Sequence, residues 1–167
     1  MKILGIIGGM SPESTATYYT EINRLVNQKK GGNISAPIVM VSVEFEEIVQ
    51  CQKQSEWQRA GEILAEAGKK LEMIGAEGIV LATNTMHKVA PQIERALSIP
   101  FLHILDATAD AIKSRGLNKV ALLGTKFTMS DNFYRDGLIV RGITPIVPNE
   151  SAQNEIHRII FDELCVG

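Results

Sequence analysis

The stretch Gly78-Ile79-Val80-Leu81-Ala82-Thr83-Asn84-Thr85-Met86-His87-Lys88 decides how the chain is read. Four apolar residues follow Gly78 and run into a polar cluster, the pattern of a buried parallel strand entering a turn. In open α/β sheets, ligands sit outside the carboxyl ends of the strands. Thr83, Asn84 and Thr85 therefore stand where a ligand is expected, offering hydroxyls, an amide and backbone N–H groups. A capping role for Thr83 or Asn84 at the next helix draws on the same residue types and stays open. Three consecutive polar residues plus His87 exceed what one cap needs.

Upstream, Lys2 to Pro12 reads as a short buried strand, a glycine turn and a helix start, with Ser11 as N-cap and Pro12 at the first helical position. The helix is expected to pass through Tyr18-Tyr19 and Ile22 to about Val26, and to end over Lys29 to Gly32. Gly8 and Gly9 allow a close backbone approach to an anion at the helix N-terminus, and a tight strand–helix turn explains them equally. The stretch lacks the Gly-Lys-Ser/Thr of a P-loop and does not fit Gly-x-Gly-x-x-Gly, which leaves a nucleotide with little support.

Ala36 to Val43 predicts a second strand, with Pro37 at its start where proline is tolerated. Glu44 to Glu47 open a polar connection holding Gln50, Cys51 and Gln52. Gln52 can donate to a carboxylate, although a solvated helix face is the plainer explanation of such a glutamine. Trp57, Ala60, Ile63, Leu64, Ala67, Leu71 and Ile74 recur at three and four, predicting an amphipathic helix that Gly75 ends and whose Trp57 joins the core.

Beyond the central strand, Met86 to Leu97 predicts a helix interrupted or restarted near Pro91. Pro100 to Leu105 reads as a strand in which His103 alternates with apolar neighbours, and Asp106 as the cap of a helix ending at Arg115-Gly116. A fifth strand is expected over Lys119 to Thr125, a helix from Thr128 to near Gly142, a sixth strand over Thr144 to Val147, and a last helix over Ser151 to Leu164. Ile156, Ile159, Ile160 and Leu164 form the apolar stripe of that helix. Strands alternating with helices predict an α/β doubly wound, parallel-sheet protein.

The halves echo each other. Gly5 to Ser11 followed by Tyr18-Tyr19 is matched by Ala121 to Thr125 followed by Phe133-Tyr134. This predicts two similar lobes, residues 1–106 with the Thr83-Asn84-Thr85 loop and residues 107–167 opening a second. The counterpart of the Thr83 loop falls beyond residue 167, so the second lobe is expected to be incomplete in this chain.

The 167 residues carry a net charge of −2, which gives no electrostatic case for nucleic acid or an anionic membrane. No apolar run has the length of a membrane span and no signal-peptide anatomy precedes the first strand, so the cytoplasm is the expected compartment. Cys51 and Cys165 make neither a disulfide framework nor a cysteine metal site, and the three histidines lie in unrelated contexts.

Taken together, Gly8-Gly9-Met10-Ser11-Pro12-Glu13-Ser14-Thr15 with Tyr18-Tyr19 and Ile22-Asn23, Thr83 to Lys88, Leu123-Gly124-Thr125 with Thr128-Met129, and Phe133-Tyr134 resemble the aspartate/glutamate racemase family, in its broad or L-specific branch. The resemblance implies two similar α/β lobes with the substrate between them, usually in a homodimer. It also implies cofactor-independent proton transfer at the α-carbon of an acidic amino acid, with one acid/base residue from each lobe. Most members use two cysteines, in Cys-Asn-Thr and Gly-Cys-Thr motifs. Here Thr83 occupies the first position and the second motif is absent from the chain. A threonine hydroxyl is far less acidic than a thiol and needs activation, so slow transfer and unequal handling of the enantiomers are expected. Little activity is expected of the 167 residues alone.

Carried over by position, Asn84 and Thr85 would hold the α-carboxylate, Met10 and Ser11 would add backbone N–H groups, Gln52 would contact the side-chain carboxylate, and Thr125 would contribute from the second lobe. His87 is read as support for the helix rather than as a base. Cys165 stands near where many members carry a substrate-binding lysine. The competing reading is a non-catalytic dicarboxylate binder of the same fold.

Overall fold

A computed structural model describes residues 1–166. Contacts cluster the chain into two compact units, Met1–Leu102 and a second beginning at His103. In the first unit, β1 (Leu4–Gly8), β2 (Ile38–Ser42), β3 (Gly78–Leu81) and β4 (Phe101–Leu102) form an all-parallel sheet in the order β2-β1-β3-β4. β1 pairs with β2 from Leu4↔Ile38 to Gly8↔Ser42, and with β3 from Leu4↔Gly78 to Ile7↔Leu81.

The intervening helices are α1 (Pro12–Lys30), α2 (Phe45–Lys53), α3 (Trp57–Met73) and α4 (Ala90–Ala96), the last preceded by a 3₁₀ turn over Thr85–Val89. The order decides which face each helix covers. The chain steps outward from β1 to β2 and then returns past β1 to β3, and right-handed crossovers place α1 on one face and α3 and α4 on the other. The α3 face carries the dense core: Ala60, Leu64, Ala67 and Leu71 pack with Ile7, Ile79, Leu81, Met86 and Ile93. Leu64, Leu71 and Ile79 are wholly buried. α1 buries only Thr15 fully, and its Leu25 is 54% exposed.

The expected strands and the α3 stripe are present, and four local readings change. The polar connection after β2 is a helix, because Glu44 caps it with its carboxylate while Ile48, Val49, Cys51 and Gln52 turn inward. β4 is only two residues long, and His103 leaves the strand to cap the following helix by accepting from Leu105 N at 3.2 Å. Asp106 is therefore a first-turn residue of that helix and pairs with Arg141 at 2.6 Å. The helix expected from Thr128 is two helices, broken at Asp131 where its carboxylate accepts from Phe133 N.

The second unit comprises α5 (Ile104–Lys113), β5 (Lys119–Ala121), α6 (Lys126–Ser130), α7 (Asn132–Val140), β6 (Thr144–Ile146) and α8 (Glu150–Ile159), which ends in a π turn over Ile160–Leu164. β5 and β6 are a parallel pair. Leu105, Ala109, Leu122, Tyr134, Leu138 and Ile143 are its core. The stripe expected to bury α8 buries no residue completely, and Leu164 is 62% exposed. No helix among the described residues is long and apolar enough to cross a membrane.

Candidate functional site

Strand order locates the site. In the first unit, the crossovers leave in opposite directions from β1 and β3, which makes the gap between their carboxyl ends a topological switch point, where α/β sheets bind ligands. The segments leaving that gap are Gly9 to Ser11 and Ala82 to Thr85. Ala82 N donates to the Ile7 carbonyl at 2.9 Å, so the strand ladder continues to the edge of the Thr83 loop. On the other side, Val43 N donates to the Gly8 carbonyl at 2.9 Å, which brings the end of β2 alongside.

The glycine turn is clamped by Thr15, one helical turn into α1. Its hydroxyl accepts from Gly9 N at 2.8 Å and donates to the Ser11 carbonyl at 2.8 Å. A side chain on Gly8 would collide with Thr15, and one on Gly9 (φ +96°) would collide with the Val43 carbonyl, so both positions need glycine. Ser11 caps α1, its hydroxyl accepting from Ser14 N at 3.4 Å, and Ser14 in turn donates to the Ala82 carbonyl at 3.4 Å. Helix start and strand end are thereby tied together. Met10 and Ser11 are buried there, beside the positive end of a 19-residue helix.

Thr83 is half-buried, Asn84 exposed and Thr85 buried. Asn84 gives α4's preceding turn no side-chain cap, so the capping reading does not account for it. His87 is 2% exposed, stacks at a tilt on Phe101 with ring centroids 5.8 Å apart, and places Nδ1 2.7 Å from the Thr83 carbonyl. A carbonyl can only accept, so Nδ1 carries the proton in this bond. His87 thus anchors the main chain of the loop through Nδ1.

Gln52 is 6% exposed, not on a solvated face. Its Nε2 donates to Met86 Sδ at 3.1 Å, joining α2 to the loop that carries Thr83. Six of the expected residues, Met10, Ser11, Gln52, Thr83, Asn84 and Thr85, are therefore grouped at one edge of the first unit's sheet. Cys51, next to Gln52, is no thiolate: burial first, then the Glu56 and Glu47 carboxylates, push its thiol up.

Thr125 belongs to the second unit. It caps α6, accepting from Thr128 N at 3.2 Å, with the Thr128 hydroxyl also at 3.2 Å. His157 of α8 accepts from Lys126 N at 3.2 Å and lies against Phe127 and Phe161. Thr15, Ser14, Met86 and His157 were not singled out by sequence reasoning. Ser14 alone left a signal, the three-residue spacing from Ser11 that Thr125 and Thr128 repeat in the second half.

Residues 7–165 match the model of the family described as Asp/Glu/Hydantoin racemase. Among solved structures, a candidate Asp/Glu racemase from Yersinia pestis is 50% identical, with a TM-score of 0.91 over 100% of this chain and 73% of that one. An aspartate racemase homologue from Pyrococcus horikoshii is 40% identical, with a TM-score of 0.85 over 100% of this chain and 73% of that one. The broad specificity amino-acid racemase RacX of Bacillus subtilis is 25% identical over 160 residues, which is 95% of this chain and 69% of that protein.

Proposed function

The chain belongs to the Asp/Glu/hydantoin racemase family of isomerases, and from that premise we propose that it takes part in cofactor-independent inversion of aspartate or glutamate at the α-carbon. The observation carrying this reading is the donor-rich edge at the β1/β3 switch point: turn N–H groups, the Asn84 and Gln52 amides and the Thr85 hydroxyl suit two carboxylates. Neutralising the α-carboxylate with such donors lowers the cost of the carbanion formed when the α-proton leaves.

Thr83 is the acid/base residue on one face of the stereocentre. Inversion needs a second group on the opposite face, since a single base tends to return the proton where it came from. Neither Cys51 nor Cys165 stands in a Gly-Cys-Thr context, so neither is assigned as the opposed group. Met10 and Ser11 bind through backbone N–H groups, Asn84 and Thr85 hold the α-carboxylate, Gln52 holds the side-chain carboxylate, and Thr125 adds its hydroxyl. The active assembly is a homodimer. A non-catalytic dicarboxylate binder is the second reading, favoured by His87 bonding to the Thr83 carbonyl instead of its hydroxyl.

Calorimetry with L-aspartate and L-glutamate, paired with NMR of α-proton loss in deuterium oxide, tests the proposal. Binding of one or both acids with slow exchange is expected, and Thr83→Cys should speed that exchange at least several-fold, because a thiolate is accessible near neutral pH. Absence of binding to both acids would overturn the reading. Binding with an unaltered exchange rate in Thr83→Cys would leave the non-catalytic binder.

A further inference from the structure

The Gln52–Met86 contact does more than join α2 to the loop. A glutamine amide has a donor end and an acceptor end of nearly equal shape, and it presents either one by a half-turn of its terminal torsion. A thioether sulfur can only accept. At 3.1 Å from Nε2, Met86 Sδ therefore selects the orientation in which the NH₂ end is held at the loop. Met86 is wholly buried and Gln52 is 6% exposed, so water has little access to this contact. One N–H of Nε2 is used on the sulfur and the second is free to donate.

Resting on the reading that Gln52 meets the substrate's side-chain carboxylate, we propose that Met86 is a positioning residue that makes this site select a side-chain carboxylate over a side-chain amide. With the sulfur in place, the site offers a donor, to which a carboxylate presents either of two charged oxygens and an amide only its single neutral one. Without it, the Gln52 amide turns freely and presents its oxygen to the ligand part of the time, repelling a carboxylate and accepting from an amide. Met86 follows directly on the Thr83-Asn84-Thr85 run, so loop conformation and substrate choice are set by one stretch.

The test uses Met86→Leu, which nearly conserves volume and removes only the acceptor. L-Aspartate and L-asparagine are titrated calorimetrically into the wild-type chain and the variant. The wild type is expected to prefer aspartate, and the variant to lose about 3- to 10-fold of that preference, the scale of one modest hydrogen bond, chiefly through weaker aspartate binding. A general packing defect weakens both ligands alike, so an unchanged aspartate-to-asparagine ratio overturns the proposal. A wild type that binds neither acid removes the acidic-amino-acid reading and this inference with it. Should the variant not fold, the ¹⁵N-labelled wild type decides: slow solvent exchange of the Gln52 side-chain NH₂ protons supports the bond to sulfur, and fast exchange overturns it.

Discussion

The two units open with one device and put it to different use. In the first, Gly8 ends β1, Ser11 caps α1 by accepting from Ser14 N, and Thr15 closes against the glycine. In the second, Gly124 follows β5, Thr125 caps α6 by accepting from Thr128 N, and Thr128 lies against the glycine. β1, however, has strands on both sides, whereas among the described residues β5 has β6 alone. Central placement turns the first copy into a rigid switch point with Thr83 beside it. The second copy stays at the rim of a small core, and Leu123 just before its glycine is 61% exposed. The same local signal acquires a different role through its neighbours, not through its own residues.

The sharpest way to break this contrast is to truncate one leucine in each region. Leu71→Ala removes a wholly buried side chain from the α3 face and is expected to cost about 3 kcal/mol in chemical denaturation. Leu164→Ala, 62% exposed at the end of the chain's last turn, should cost under about 0.5 kcal/mol. Equal losses would mean that the apolar stripe following α8 is covered in solution.

The glycines give the next largest effect. A Cβ on Gly8 would stand 2.8 Å from the Thr15 hydroxyl, within the clamp that holds Gly9 N, and Gly8→Ala is expected to cost about 2–3 kcal/mol and to weaken aspartate binding. At Gly124 the nearest Thr128 carbons are 3.0 Å away, and Gly124→Ala should cost about 1 kcal/mol. Reversal of that order would show the first turn to be the more yielding.

The smallest effect sharpens the comparison through pH. Burial, and then the Lys126 charge, hold His157 below its usual value of 6.5, with Asp162 opposing. The unfolded chain then binds the proton more readily than the folded one. The stabilising contribution is complete above about pH 6.5 and is lost as pH falls through that value toward the folded one. His157→Gln should flatten the acid side of the second unit's stability profile, followed by denaturation at several pH values.

Much of the fold was legible because its signals are local. Strand runs at Leu4–Gly8, Ile38–Ser42 and Gly78–Leu81 and the α3 stripe follow from apolar spacing, and Ser11 and Pro12 mark the start of α1 by residue type. The grouping of Thr83, Asn84 and Thr85 after a buried strand, and the likeness of the halves, were likewise read from order alone. Readings failed where a side chain chose a distant partner. Gln52 reads as a solvated glutamine until Met86, 34 positions away, gives its amide a buried partner. His103 alternates like a strand residue but caps a helix.

The chain's own order of residues thus determined its elements, its family likeness and the position of its polar loop, since backbone propensity and apolar period act within a few residues. Only tertiary structure decided that β1 sits between β2 and β3, that Ser14 reaches a carbonyl 68 residues away, and that Gln52 turns inward. Those outcomes depend on which strands pair and on what burial leaves within reach, quantities that no short window of sequence contains.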